Sequence, residues 1–420
     1  MRIAVALLAL GLLIVLALRF ALEPRRATGF LLARIGNAMG LEISAGGGAE
    51  YRLRGTPTLV LRDVVAREPG APVPLLRADR IFLSLPWSTL RARGAELTAT
   101  RIELDAPALD LPALQRWLAT RPPSERRLPT LGEGLRIRDG SIHNDDWDID
   151  GIQVELPLLA PEAPLHARLR GRYFDPPLAI PVDLSVAIVR PAALLESTST
   201  GFATAGRIVV QRGSDWRLPA TVTLSGPLAL GRDNLRIAPA RLGAVAAYEA
   251  GGTRMPFSLG IHGPLQFDEA AWLLAPANVV LRGRDDPDTD LVPALDARGN
   301  LALGRRLVLR LQGGLATWPA AWPALPEPLA SSRSRLPFTL DYTGTPDLAG
   351  IAALRLQRDA AGFDARFRMQ DVQAWLAGDA TNPLPPLEGS VRASRLDIAG
   401  AQLEGVEIEI DDPGIPDAGP

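Results

Sequence analysis

The stretch FDARFRM at 363–369 sets Phe363, Ala365, Phe367 and Met369 on one side of an extended chain and Asp364, Arg366 and Arg368 on the other. Strict alternation of this kind marks a strand with one dry face and one wet face. The same period recurs along the chain. RIELD at 101–105 sets Ile102 and Leu104 against Arg101, Glu103 and Asp105. Leu135 and Ile137 alternate with Arg136 and Arg138, and Leu307, Leu309 and Leu311 with Val308 and Arg310. Val406, Ile408 and Ile410 alternate with Glu407 and Glu409. Asp139-Gly140 and Gly313-Gly314 read as turn residues between such strands. No βαβ alternation is visible, which argues against a parallel α/β sheet. The expected fold is therefore mainly β: an elongated, curved antiparallel sheet, groove-like, with a few short capping helices.

Three short stretches look alike and read as those helices: LPALQRWLA ending at Ala119, FDEAAWLLA ending at Ala275 and MQDVQAWLA ending at Ala377. Each carries Trp followed by Leu, at Trp117, Trp272 and Trp375. Laying Trp and Leu over a sheet edge explains them better than ligand stacking. A further helix is expected over Thr28 to Gly40, where Phe30, Leu31, Ile35 and Met39 recur at helical spacing and Gly40 supplies a stop.

The N-terminus is different in kind. Ile3 to Leu18 reads IAVALLALGLLIVLAL without a polar side chain. Continued to Leu22 it gives about 20 residues, or roughly 30 Å of helix, one hydrocarbon thickness. Arg19 lies near its end and can snorkel. A cleaved signal peptide is the competing reading, but the apolar run is long and no small-x-small site follows. The expectation is an uncleaved single-pass anchor over 1–24. Flanking arginines, Arg2 before and Arg19, Arg25 and Arg26 after, do not fix its orientation.

Composition removes whole classes of chemistry. The chain has 420 residues, no cysteine and a net charge of −2. Thiolate nucleophiles, disulfides and zinc-thiolate sites are excluded, and no global field recruits nucleic acid. All 45 basic residues are arginine, so a P-loop or Schiff-base lysine is impossible. Pro (38) and Gly (39) are each about 9%, above the usual ~5% and ~7%, which fits many short elements and turns. His143, His166 and His262 are isolated, without ligand spacing, and the latter two fit exposed strand faces. There is no GxSxG elbow, and Gly46-Gly47-Gly48 lacks the GxGxxG spacing. DDWDIDG, with Asp146, Asp148 and Asp150 before Gly151, matches the first half of a calcium loop. It carries Pro157 where a bidentate Glu is required. Alternate Asp residues on an exposed strand face explain it better. No catalytic, cofactor or metal residue is expected, and the lipid-contacting residues are not identifiable.

Many apolar strand faces with few helices to cover them leave two solutions: two sheets packed face to face, or one curved sheet enclosing an apolar groove. A long open groove is costly unless it holds something apolar, and acyl chains are the obvious occupant beside a membrane.

The chain resembles the AsmA family of Gram-negative envelope proteins, best over residues 1–156 and 387–410. Beyond the anchor, the resemblance rests on GLEISAGGGAEYRLRGTPTLVLRDVVA at 40–66 and LLRADRIFLSLPWSTLRARGAELTATRIELDAPALDLPAL at 75–114. It continues in LGEGLRIRDGSIHNDDWDIDGIQVEL at 131–156 and LEGSVRASRLDIAGAQLEGVEIEI at 387–410. These match the family's ordered "L-x-L-x-D-V", "A-x-x-I-x-L-x-L", "L-x-I-x-D-G-x-I" and "L-x-G-x-x-x-x-x-x-L-x-I-x-G" strand patterns. The resemblance implies an inner-membrane anchor, a periplasmic β-rich domain and a role in outer-membrane biogenesis by binding or transferring phospholipid. This chain is short for a bridge: even ~25 strands at ~4.8 Å span about 120 Å. The expected organisation is an anchor at 1–24, an AsmA-like β domain with short helices at 25–120, a β-rich repeat-like region at 121–410 and a disordered tail at 411–420. Expected partners are the membrane, phospholipid and envelope proteins, not nucleic acid. The rival readings are a structural or assembly factor for outer-membrane proteins or a secretion machine, and a periplasmic enzyme, which lacks a catalytic set.

Overall fold

The computed structural model describes residues 36, 40–91, 98–120, 127–231, 234–268, 271–284, 291–319, 322, 334–377, 386–398, 401–412 and 414–415. The expected anchor over 1–24, and all but Gly36 and Gly40 of the expected helix over 28–40, lie outside them. Among the described residues no helix is long and apolar enough to cross a membrane. The chain is mainly β, 67% strand. It divides into two compact units, residues 1–210 with 227–232, and residues 211–226 with 233–420.

In the first unit the strands are β1 (Glu42–Ala45), β2 (Ala49–Arg52), β3 (Thr58–Arg67), β4 (Leu76–Ser84), β5 (Thr98–Ala99), β6 (Arg101–Asp105), β7 (Ala108–Asp110), β8 (Thr130–Leu131), β9 (Leu135–His143), β10 (Asp148–Leu156), β11 (Leu165–Asp175), β12 (Leu178–Ile188) and β13 (Thr200–Arg212). Two helices interrupt them, α1 (Trp87–Arg91) and α2 (Leu111–Ala119). β1 and β2 share one edge of β3, joined through the three-glycine kink at 46–48. There a Cβ on Gly47 would stand 2.6 Å from the Arg62 Cβ. β3–β4, β4–β6, β9–β10, β10–β11 and β11–β12 are antiparallel.

The expectation of a purely antiparallel sheet needs correction. β6 and β7 both run parallel to β9, and β5 to β8. The cause is α2, which carries the chain back between β7 and β9, the crossover that parallel neighbours require. α2 forms where LPALQRWLA leads one to expect it. Asp110 caps it by accepting from the Ala113 N–H at 2.8 Å, and Pro112 occupies the first turn. Leu111, Ala113, Leu114 and Trp117 are buried against Leu61, Val64 and Leu75.

The second unit holds β14 (Trp216–Leu230), β15 (Leu235–Ala250), β16 (Thr253–Asp268), β17 (Ala271–Gly283), β18 (Ala294–Leu303), β19 (Leu307–Thr317), β20 (Leu336–Gly344), β21 (Ile351–Arg358), β22 (Ala361–Arg368), α3 (Met369–Ala377), β23 (Glu388–Ile398) and β24 (Ala401–Ile410). From β15 to β24 each strand pairs antiparallel with the next. MQDVQAWLA is helical as expected, as α3. The described residues of FDEAAWLLA are strand instead: Phe267 and Trp272 face each other across the β16–β17 pair, rings 4.9 Å apart. An aromatic cross-strand pair outweighs the helical spacing there. Two dipeptides read as turns, Asp139-Gly140 and Gly313-Gly314, also lie inside strands. Asp139-Gly140 is a mid-strand irregularity of β9, with Asp139 at φ 52°, and Gly313-Gly314 lies within β19. Of the segment expected to be disordered, Gly414 accepts a 2.7 Å hydrogen bond from Arg368, and Ile415 is buried.

Candidate functional site: the concave apolar face

Register turns the alternating sequence into rows. In the second unit one row runs Leu242, Ile261, Val279, Ala297, Gly313, Phe338, Leu356, Phe363, Val391 and Ile408, one residue from each strand β15 to β24. Nine steps at ~4.8 Å make it roughly 43 Å long along the curve. A parallel row runs Ile237, Leu265, Leu274, Leu301, Leu309, Tyr342, Ala352 and Phe367. Neither row contains a charge. One residue along, the opposite face reads Arg241, His262, Asn278, Arg298, Gln312, Thr339, Arg355, Asp364, Ser390 and Glu409.

Glycines reveal which face is concave, a question the sequence leaves open. A Cβ on the apolar-face residues Gly299, Gly313 and Gly389 would lie 1.8, 2.0 and 2.0 Å from the backbone oxygens of Arg310, Asp296 and Asp364 on neighbouring strands. On the polar face a Cβ at Gly260 meets nothing within 4 Å, and at Gly314 only the flexible Arg335 side chain. The neighbouring backbone crowds in on the apolar side alone, so the apolar face is the inside of the curve. The curl is strong. Five pairings separate β15 from β20, roughly 24 Å on a flat sheet. Yet the β13–β14 turn, which meets β15 through the Arg217–Glu249 pair, reaches the loop beyond β20, where Arg212 Nε is 3.4 Å from Asp347.

The inside of this curve is filled unevenly. Leu274, Ala277, Val279, Ala297, Phe338 and Leu356 form a packed cluster at its middle. Towards β15–β16 and β22–β24 the first row is half-buried, at Leu242, Ile261, Phe363, Val391 and Ile408, while the second is buried at Ile237. The first unit has its own such row, Leu61, Ile81, Leu104, Ile137, Val154, Leu169 and Leu184. Leu61, Leu104, Ile137 and Val154 are buried, and Leu169 and Leu184 half-buried.

The outer face is laced by cross-strand arginine–carboxylate pairs. Arg392 faces Glu407 at 3.0 Å, Arg366 reaches Glu388 at 3.0 Å, and Arg355 pairs with Asp364. The Arg282 hydrogen bond holds the Asp296 carboxyl below its ordinary value, against desolvation and with help from Arg335.

The sequence-selected polar residues do not converge. His166 and His262 are exposed, on β11 and β16. His143 Nδ1 lies 2.6 Å from Asp148, a contact that raises the imidazole pKa against slight desolvation. Asp146 lies in the turn, while Asp148 and Asp150 lie on β10, with Arg172 3.9 Å from Asp150. Trp117 is buried under α2, and Trp375 is half-buried. The sequence reading missed the inner-facing glycines, whose signal was their placement inside alternating runs, as in LQGGLAT at 311–317. No family model matches the chain, and neither a curated protein nor a solved structure is significantly similar to it.

Proposed function

We propose that the concave face holds lipid acyl chains, and that the chain is a membrane-anchored, non-enzymatic β-groove protein of the periplasm that binds or passes phospholipid in outer-membrane biogenesis. The observation that carries this reading is the uncharged inner row from Leu242 to Ile408, half-buried at both ends. Apolar surface of that extent favours an apolar occupant. The resemblance to the AsmA family and the apolar run at 3–18 point the same way. The packed cluster around Phe338 and Leu356 favours the rival reading, an assembly factor whose inner face serves only as a core.

Photo-crosslinking in cells separates the two. A photoreactive residue at Leu259 or Phe363, on the inside, is expected to capture acyl chains, detected by mass spectrometry of the full-length protein. The same residue at Ser258 or Asp364, one position along and outside, is expected to capture none. Absence of lipid adducts at the inner positions, with the protein folded and membrane-bound, sinks the groove and favours the packed core.

A further inference from the structure

One corner of the first unit exposes large apolar side chains together. The turn between β2 and β3, at 53–57, lies beside the entry to α1. The Leu85 N–H donates to the Pro57 carbonyl at 3.0 Å, and the Trp87 indole N–H to the Gly55 carbonyl at 2.8 Å. Leu53 is 63% exposed, Tyr51 49% and Trp87 44%. Tyr51 ends the row Tyr51, Leu59, Leu83 and Ile102, whose last two members are buried. That row runs out to solvent at β2, which pairs with β3 alone among the described strands. The single donor of the indole is already used, so nothing in that ring requires water.

The charge at this corner is of one sign. Arg52, Arg54 and Arg91 are exposed. Across the described residues 49–57 and 84–91 the one carboxylate is Glu50, which pairs with Arg62 at 3.2 Å. Elsewhere in this unit exposed arginines meet carboxylates, as Arg168 and Arg170 meet Asp183 and Arg190 meets Glu196. Trp and Tyr concentrate where a bilayer gives way to water, with arginines reaching the phosphates beside them.

An exposed Trp, Tyr and Arg cluster also suits a protein partner. The tether favours the bilayer. Residues 23–40 join the apolar run to β1. β1 begins opposite Arg67, whereas the corner adjoins Thr58, at the other end of β3 and about 30 Å away. A segment of 18 residues spans ~27 Å as helix and up to ~60 Å extended, so the corner can reach the surface. A contact on so short a tether acts at a high effective concentration.

We propose that this corner is a membrane-interface contact, seated in the headgroup layer of an anionic bilayer. Trp87, Leu53 and Tyr51 enter the apolar boundary, and Arg52, Arg54 and Arg91 meet the phosphates. The contact rests on the anchor reading for its tether, and its test separates the two.

The full-length chain is reconstituted in phosphatidylcholine vesicles with or without phosphatidylglycerol. The chain has no cysteine, so an environment-sensitive dye on Thr56→Cys reports the 53–57 turn alone. Thr56 is exposed, and the six contact residues stay intact. Ser185→Cys is the control, exposed on β12, seven pairings from β2 and roughly 34 Å along the sheet. The Thr56 dye is expected to shift to the blue and to be quenched by headgroup nitroxide lipid, more so with phosphatidylglycerol; the Ser185 dye should stay in water. Arg52→Gln with Arg54→Gln should lower the ratio of shielded to exposed dye by about 25-fold, ~fivefold for each arginine at ~1 kcal/mol, with Tm unchanged. Leu53→Ser should lower it with either lipid.

A Thr56 dye in water, on a chain that resists carbonate extraction, overturns the contact and leaves the anchor. Shielding indifferent to both phosphatidylglycerol and the arginine variant overturns it in favour of a purely apolar contact. Shielding that grows with protein concentration, and not with vesicles, marks a contact between copies and overturns it too. A chain released by carbonate that still docks its Thr56 dye on anionic vesicles upholds the contact and overturns the anchor.

Discussion

Gly313 gives the sharpest test of how the sheet achieves its curvature. It lies in mid-strand on the inner face, opposite Ala297 on one side and Phe338 on the other. A Cβ there would stand 2.0 Å from the Asp296 carbonyl oxygen and 2.7 Å from the Ala297 Cα. Both obstacles are backbone, so no side chain can swing aside. Gly313→Ala must therefore push β18 and β19 apart by about 1–1.5 Å to reach ordinary contact, which breaks the nearest ladder bonds. Two such bonds at a net ~1 kcal/mol each, with some residual desolvation, give about 2–3 kcal/mol of destabilisation. For a unit of this size that is a fall of roughly 5–10 °C in Tm. Gly314→Ala, the adjacent residue on the outer face, meets only the Arg335 side chain at 3.0 Å. It should stay within about 0.5 kcal/mol of the parent. Urea titrations followed by tryptophan fluorescence compare the two variants directly. Equal stabilities, or a Gly314 variant less stable than the Gly313 one, refute the assignment of the apolar face to the inside of the curve.

Other outcomes follow from the same geometry. Arg212→Ala strips the long-range partner from Asp347, a residue 9% exposed and otherwise held by Thr345 and the Ala349 N–H. A cost of about 1–3 kcal/mol is expected, and a double-mutant cycle with Asp347→Ala should recover a coupling; independent effects would mean the pair does not fasten the curl. Trp117→Ala should cost about 3–5 kcal/mol, read by calorimetry, since the side chain is 6% exposed beneath α2; a loss under ~1 kcal/mol would mean α2 is not anchored through it. His143 should titrate above its ordinary 6.5, because its contact with Asp148 favours the charged ring. Its contribution to stability is then fully present below pH ~6.5 and fades as pH rises through the folded-state value. Proton NMR of the parent against Asp148→Asn measures this, and an unchanged midpoint in the variant removes Asp148 as the cause. Finally, stripping lipid from the purified full-length chain should lower its Tm: an occupant at 100 times its Kd contributes about 2.7 kcal/mol by mass action. A Tm indifferent to lipid would count against the groove.

Strand content was legible because one-sided burial writes itself into the sequence with a period of two. RIELD, LVLRL, FDARFR and VEIEI each became a strand, but Glu103, expected on the wet face of RIELD, is buried and paired with Arg80 and Arg101. What a single strand cannot encode is its neighbours. Nothing in LPALQRWLA shows that α2 returns the chain alongside β6 and β7 to make parallel pairs, because that is a property of three separated segments. Glycine misled for a related reason. Gly313-Gly314 has turn chemistry, yet the constraint at Gly313 comes from the backbone of β18, several residues away through the β18–β19 hairpin. The helical spacing in FDEAAWLLA was real but weaker than the pairing of Phe267 with Trp272. The rows that make up the candidate site were readable residue by residue, while their alignment into one continuous concave surface required the register.

The two faces make different contributions to stability. The outer pairs, Arg355–Asp364, Arg366–Glu388 and Arg392–Glu407, have side chains from 25% to 65% exposed. Each is worth no more than about 0.2–1 kcal/mol. They keep the outer face wet and discourage it from burying itself in another sheet. Most of the stabilisation must then come from the inner face, through apolar burial. There the packed cluster at Val279, Ala297, Phe338 and Leu356 supplies a core that needs no ligand. The half-buried residues on either side of it do not. Filling the ends with larger apolar side chains would raise stability by extending that core, at the expense of any space for an occupant. Ala244 is half-buried there, whereas Ala246 and Ala365 are already buried and Gly389 answers to the Asp364 carbonyl, so any space for an occupant lies beside Leu242, Ile261, Val391 and Ile408.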